Sequence, residues 1–126
     1  KPNKFQDWIM DLKTDLAASG LWEIYTYTMV GDELYNNARL DASRLIEIMD
    51  SISPELSKLR EHLLPSLLEK ASDNADRYND FGLFEISRIA LSDAQLEGTN
   101  LPAQPWHLAA VRVGTDTECS TWQLAQ

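Results

Sequence analysis

Few side chains in this sequence could do chemistry. Histidine occurs only at His62 and His107, and cysteine only at Cys119. Zinc centres draw three or four such ligands from short spacings, and neither H-x-x-x-H nor C-x-x-C is present, so a metal would have to be assembled from distant positions. A Cys119–histidine dyad has equally little behind it, because the threonine- and serine-rich surroundings of Cys119 supply nothing that would activate a thiol. Asp73, Asp76 and Asp80 do not follow a calcium-loop spacing and read as a solvated helix end. That leaves Glu85, which could serve as an acid or base if a histidine shared its pocket and its pKa were perturbed. Glu85 and Arg88 lie three apart on a strand pattern, so they face opposite sides of a sheet and cannot act as one pair without a bulge.

The elements that must position these residues follow from periodicity and punctuation. Phe5, Trp8, Ile9, Leu12 and Leu16 recur at helical spacing and Gly20 stands where a C-terminal cap falls, predicting a helix from about Lys4 to Ser19. Leu21–Val30 is rich in β-branched and aromatic residues and reads as one strand. Gly31–Ala42 reads as a loop or short irregular helix, and Arg44–Asp50 as a short strand, with two helical turns as the alternative. Ser53 and Pro54 open a helical turn, where proline loses no useful N–H. Pro65 excludes Lys58–Leu64 from helix and starts a second helix running to about Arg77, with Leu64, Leu67, Leu68, Ala71 and Ala75 on one face. Phe81–Leu91 reads as an interior strand and Ser92–Pro105 as a turn-rich excursion. Trp106–Val113 follows as a strand, Gly114–Ser120 as a hairpin loop and Thr121–Ala125 as a pairing strand. The expected fold class is α+β: an antiparallel sheet with flanking helices. Trp8, Trp22, Tyr25 and Tyr27 fall on faces that should pack the core, with a subunit interface as the alternative.

Composition narrows the function classes. The 126 residues suit one domain, 44% apolar and 25% charged, as in ordinary globular proteins. Twenty acidic residues against 11 basic ones give a net charge of −9, which disfavours direct contact with nucleic acid or an anionic membrane. No apolar run approaches the roughly 20 residues needed to span a bilayer. With one cysteine there is no internal disulfide, and a reducing cytoplasm is expected. The chain starts at Lys1 without methionine and ends in STWQLAQ, so it is expected to be a piece of something longer.

The stretch LREHLLPSLLEKASDNADRYNDFGLFEISRIA resembles the beta subunit of bacterial phenylalanyl–tRNA synthetase, whose pattern runs M-R-T-S-L-L-P-G-L-L and then F-E-I-G-R-V. The matching positions include Arg60, Leu63, Leu64, Pro65, Leu67, Leu68, Asn74, Phe84, Glu85, Ile86 and Arg88. Gly20-Leu21-Trp22-Glu23 with Tyr25-Thr26-Tyr27 is similar to the family's G-F-Q-E-V-I-T-Y-S, and His107–Ala110, Gly114 and Trp122 are similar to its L-A-G…G…W. The resemblance covers nearly the whole chain. It departs at Asp50 and Ser51, at Glu61 and His62, and at Ser87, where the family has glycine.

The resemblance implies a class II aminoacyl-tRNA synthetase-like module, here truncated, occupying residues 1–126 as a single unit. It implies a catalytically inert copy of that fold, which supports assembly with a catalytic alpha subunit in a cytoplasmic complex of two of each chain. ATP and Mg2+ would belong to the whole enzyme and not to this piece, and tRNA would be engaged through the complex, with no membrane partner. An active class II site clamps ATP phosphates with arginine and orders the amino group with an acid, a set that Arg60, Glu85 and Arg88 would have to supply. No glycine-rich, arginine-ending third motif follows. Arg60, Pro65, Glu85 and Arg88 are therefore expected in structural or interface roles, with Arg60 tying the Lys58–Leu64 linker to Glu85. Two other readings compete: a stand-alone protein-interaction module reusing the fold, and a small acid–base enzyme built on Glu85.

Overall fold

A computed structural model describes residues 1–114; the strand expected at Thr121–Ala125, Cys119, and the expected hairpin loop beyond Gly114 lie outside the described residues. The elements are helix α1 (Lys4–Ala18), strands β1 (Leu21–Glu23) and β2 (Met29–Val30), and helix α2 (Asp32–Asn37). A 3-10 turn (Pro54–Leu56), strand β3 (Lys58–Leu59), helix α3 (Leu64–Ala75) and strands β4 (Phe81–Arg88) and β5 (Trp106–Val113) follow. Helix α1 starts where the Asn3 side chain accepts the Phe5 and Gln6 N–H groups, and it stops at Gly20, whose φ of +88° suits a residue without a Cβ. Pro65 lies in the first turn of α3, where its missing N–H costs nothing, and its ring is fully buried. Leu63–Ala71 supply that helix's buried face through Leu63, Leu67 and Ala71.

The main sheet has the order β1-β4-β5. Alternate β4 side chains point to opposite faces. Phe84 and Ile86 pack with Ile9 of α1, while Leu83 packs with Leu67 and Ala71 of α3 and with Leu63 just before it. The sheet is thus covered by α1 on one face and α3 on the other. A third cluster, Val30, Tyr35, Ala42 and Leu45, fills the space under α2.

Five expectations need correction. The sheet is mixed: β5 pairs antiparallel with β4, but β1 pairs parallel, with Leu21 opposite Gly82. The segment carrying α3 serves as a crossover that returns the chain to the same sheet in the same direction. Leu21–Val30 is not one strand; it breaks after Ile24, whose N–H still reaches Phe84 O at 2.9 Å, and β2 pairs instead with β3. Arg44–Asp50 forms no strand beyond a single bridge at Glu47, and Asp50 turns the chain with φ +55°. On α3, Leu64, Leu68 and Ala75 are exposed, because the packed stripe runs one position earlier from Leu63. Finally, Trp8, Trp22, Tyr25 and Tyr27 are not core residues: they are 58%, 65%, 72% and 77% exposed. Periodicity put Trp8 beside Ile9, but α1 buries only a narrow stripe of Ile9, Leu12 and Leu16.

Candidate functional site

Where β1 parts from β4, a carboxylate takes over the role of the missing strand. Glu85 Oε1 accepts the Thr26 N–H at 3.2 Å, Arg60 Nη1 at 3.3 Å and the Ser87 hydroxyl at 3.0 Å. Its Oε2 accepts the Thr26 hydroxyl at 2.6 Å. Arg60 donates further to Thr26 Oγ1 at 2.8 Å and, at 3.5 Å, to the Arg88 carbonyl. The side chains of Arg60 and Glu85 are 3% and 1% exposed. Arg60 reaches this point because its own backbone bridges two segments, with its N–H on Thr28 O and its carbonyl accepting the Ala90 N–H.

The cluster borders a cavity of about 600 Å³ that is also lined by Tyr25, Arg88 and Trp106. The Arg88 guanidinium lies over the Trp106 ring, 5.3 Å from its centroid. No histidine lines this cavity, which removes the geometric condition for an acid–base pair with Glu85. His62 is exposed, its ring centroid 6.4 Å from that of Tyr35. Among the described residues no group of three or more His, Cys, Asp or Glu could hold a metal ion.

The arrangement is a crowded one. An ionised carboxylate offers about four acceptor sites, and four donors of the chain itself already meet Glu85. Three of these donors meet Oε1 and one meets Oε2, so Oε1 is fully occupied and Oε2 keeps a single open acceptor site. Arg60 is committed through both Nη1 and Nη2, and its Nε is the buried side-chain nitrogen without a partner among the described residues. Sequence reasoning brought Arg60, Glu85 and Arg88 to attention, and the fold gathers all three at this cavity. Pro65 is elsewhere, at the start of α3. Thr26 and Ser87 were not singled out as partners; Ser87 carried a signal, as a departure from the family's glycine at a position two residues from Glu85.

Two neighbouring groups are tuned by contacts. Glu61, another departure, accepts the Ser92 N–H at 2.6 Å; burial pushes its carboxyl up, but the Ser92 hydrogen bonds outweigh this and hold it below the usual range. The Tyr35 hydroxyl accepts the backbone N–H groups of Glu61 and His62 at 3.0 and 3.1 Å. Burial raises the Tyr35 phenol above its usual value, against the opposing pull of those hydrogen bonds.

Comparison with known proteins agrees with the motif pattern. The family model of the phenylalanyl tRNA synthetase beta chain CLM domain matches residues 1–126. A phenylalanine–tRNA ligase beta subunit from Moorella thermoacetica is 30% identical over 122 residues, covering 93% of this chain and 15% of that protein. One from Staphylococcus aureus is 32% identical over 113 residues, covering 89% of this chain and 14% of that protein. The chain thus spans about one-seventh of the length of these curated relatives.

Proposed function

The chain belongs to the phenylalanyl tRNA synthetase beta chain CLM domain family, and on that premise we propose that it acts as a non-catalytic module of a phenylalanine–tRNA ligase. In this reading residues 1–126 form one class II synthetase-like unit that holds a catalytic alpha subunit in place and serves tRNA aminoacylation in the cytoplasm. ATP and Mg2+ act in the whole enzyme, at the alpha subunit, and tRNA meets the module only through the complex.

The observation that supports the silent role is the burial of Glu85 among four donors of its own fold, from Thr26, Arg60 and Ser87. A catalytic carboxylate must exchange partners with substrate, whereas this one is locked into the backbone of its own fold. Arg60, Glu85 and Pro65 then serve structure: the first two join the β1–β2 connection to β4, and Pro65 packs at the start of α3. Arg88, held over Trp106 at the cavity's edge, is the member of the set free to face a partner. Exposed Trp8 and Trp22 favour an interface over a lone domain, since large aromatics at a surface are the residues that anchor subunit contacts. The stand-alone interaction module is not favoured, because the matched relatives are beta subunits.

The test is a tagged purification of the full-length chain containing these residues, followed by a phenylalanine-charging assay. Co-purification of a second, catalytic chain with charging activity is the expected result, and Glu85→Gln should leave the kcat of the assembled enzyme within about twofold while lowering its thermal stability. A chain that purifies alone and charges no tRNA would overturn the reading. A kcat loss of a hundredfold or more in Glu85→Gln, with assembly intact, would overturn the silent role.

A further inference from the structure

The cavity beside the Arg60–Glu85 cluster is rich in donors and short of acceptors. Its charged lining consists of Lys13, Arg60, Glu85 and Arg88. Lys13 is paired with Glu23 at 2.6 Å, and Arg60 with Glu85 at 3.3 Å. Arg88 has no carboxylate within salt-bridge distance among the described residues. Its guanidinium rests on the Trp106 ring instead, and Trp106 in turn packs against Phe5, with ring centroids 6.0 Å apart. The lining therefore keeps one surplus positive charge, in a chain whose net charge is −9.

A second observation points the same way. Arg60 is 2% exposed and lines the cavity, and its buried Nε has no partner among the described residues. A buried donor without an acceptor is costly to keep. The two arginines adjoin, since Arg60 Nη2 donates to the Arg88 carbonyl at 3.5 Å. Glu85 already meets four donors, so the wall has little left to offer them. At about 600 Å³ the space suits a small ligand, and Leu59, Ile86 and Ile89 supply apolar lining. We propose that this cavity binds a small carboxylic acid, its carboxylate forked by the Arg88 guanidinium and its apolar body against Leu59, Ile86 and Ile89. One surplus cation matches one negative charge, which sets a monocarboxylate apart from the phosphates of a nucleotide. A zwitterionic amino acid would bring an ammonium to a wall whose one carboxylate is already paired with Arg60. The proposal goes beyond the ligase reading, which does not depend on whether this cavity is filled.

The test is isothermal titration calorimetry of naphthoate into the full-length chain, assembled as it is purified, with the neutral alcohol naphthylmethanol as the matched control. Saturable binding of naphthoate is expected, with the alcohol at least tenfold weaker. Arg88→Gln should weaken naphthoate at least tenfold, the loss expected for a charged hydrogen-bonding partner, while far-ultraviolet circular dichroism stays unchanged. Phenylalanine and AMP are then titrated as competitors for the part of the binding that Arg88→Gln removes. No saturable binding, equal affinity for the alcohol, or binding that Arg88→Gln leaves intact would overturn the proposal. So would displacement by phenylalanine or AMP at lower concentrations than naphthoate itself requires, which would assign the cavity to a zwitterion or a phosphate. Charging activity is read in the same preparation, so failure of the ligase reading and failure of the cavity register separately.

Discussion

At the scale of single residues, the buried pair of Arg60 and Glu85 decides most. Burying two charges is costly, and the pair repays this only while every partner is in place. Arg60→Ala should therefore cost about 3–5 kcal/mol, because it strands a buried carboxylate. Glu85→Ala should cost a similar amount, stranding a guanidinium. The double variant Arg60→Ala/Glu85→Ala should lose clearly less than the sum of the two single losses. Urea denaturation midpoints across the four proteins would measure this, and strict additivity would show that the two side chains do not act together. The pairing was legible in the sequence as a tie between the linker and the strand. The part played by Thr26 was not, because Thr26 lies 59 positions from Glu85 and nothing in its own surroundings announces a hydrogen bond to that strand. The tyrosines show the same limit. Tyr25 and Tyr27 are apolar enough to pack a core and polar enough to face water, and only the point at which β1 leaves the sheet decides between these.

At the scale of elements, α1, the start of α3, β4 and β5 could be read from periodicity and proline placement, since each carries several turns or pairs of consistent pattern. The short strands could not. Leu21–Val30 has one composition throughout, yet its two ends belong to different sheets, because the Glu85 carboxylate replaces a strand partner in the middle. The parallel β1–β4 pairing was missed for a related reason: α3 was read as a helix on the sheet and not as the crossover that parallel strands require. Gly31 offers a test at this scale. Adding a Cβ there would meet Pro54 O at 2.6 Å and Glu55 Cα at 2.9 Å, both backbone atoms that cannot rotate away. Gly31→Ala should destabilise the fold by about 1–3 kcal/mol through overpacking, with the increase in amide hydrogen exchange concentrated in α2 and the 3-10 turn. Uniform protection equal to the parent's would show that the two elements have room to part.

At the scale of the whole molecule, electrostatics link α1 to the sheet and set a pH window. Lys13 Nζ lies 2.6 Å from Glu23 Oε1 and 3.0 Å from the Tyr25 hydroxyl. The hydrogen bonds to Glu23 and Tyr25 raise the Lys13 amine above its usual value of 10.5. Burial pushes the Glu23 carboxyl up, but the Lys13 hydrogen bond helps to hold it below its usual 4.5. A depressed carboxylate stabilises the fold above its unfolded-state pKa and loses that contribution as pH falls through the folded value. A raised amine stabilises below its unfolded-state pKa and loses that contribution as pH climbs through the folded one. The pair is partly solvated, so its worth is about 0.5–1 kcal/mol. The stability difference between the parent and Glu23→Gln should stay flat from about pH 5.5 to 9.5 and shrink towards pH 3. A difference that persists unchanged at pH 3 would assign it to packing and not to charge.

The parallel pairing of Leu21 with Gly82 also has a consequence in time. On a ribosome adding about 5–20 residues per second, α1 and β1 emerge some 3–12 s before the strand that completes them. During that interval an apolar strand and the inner stripe of α1 have no sheet to cover. The antiparallel β4–β5 pair, whose members follow one another closely, forms as soon as both are out. Newborn chains of this module therefore pass through a stage in which α1 and β1 are the sticky segments, and a chaperone that shields nascent polypeptides would find a foothold on them until β4 has emerged.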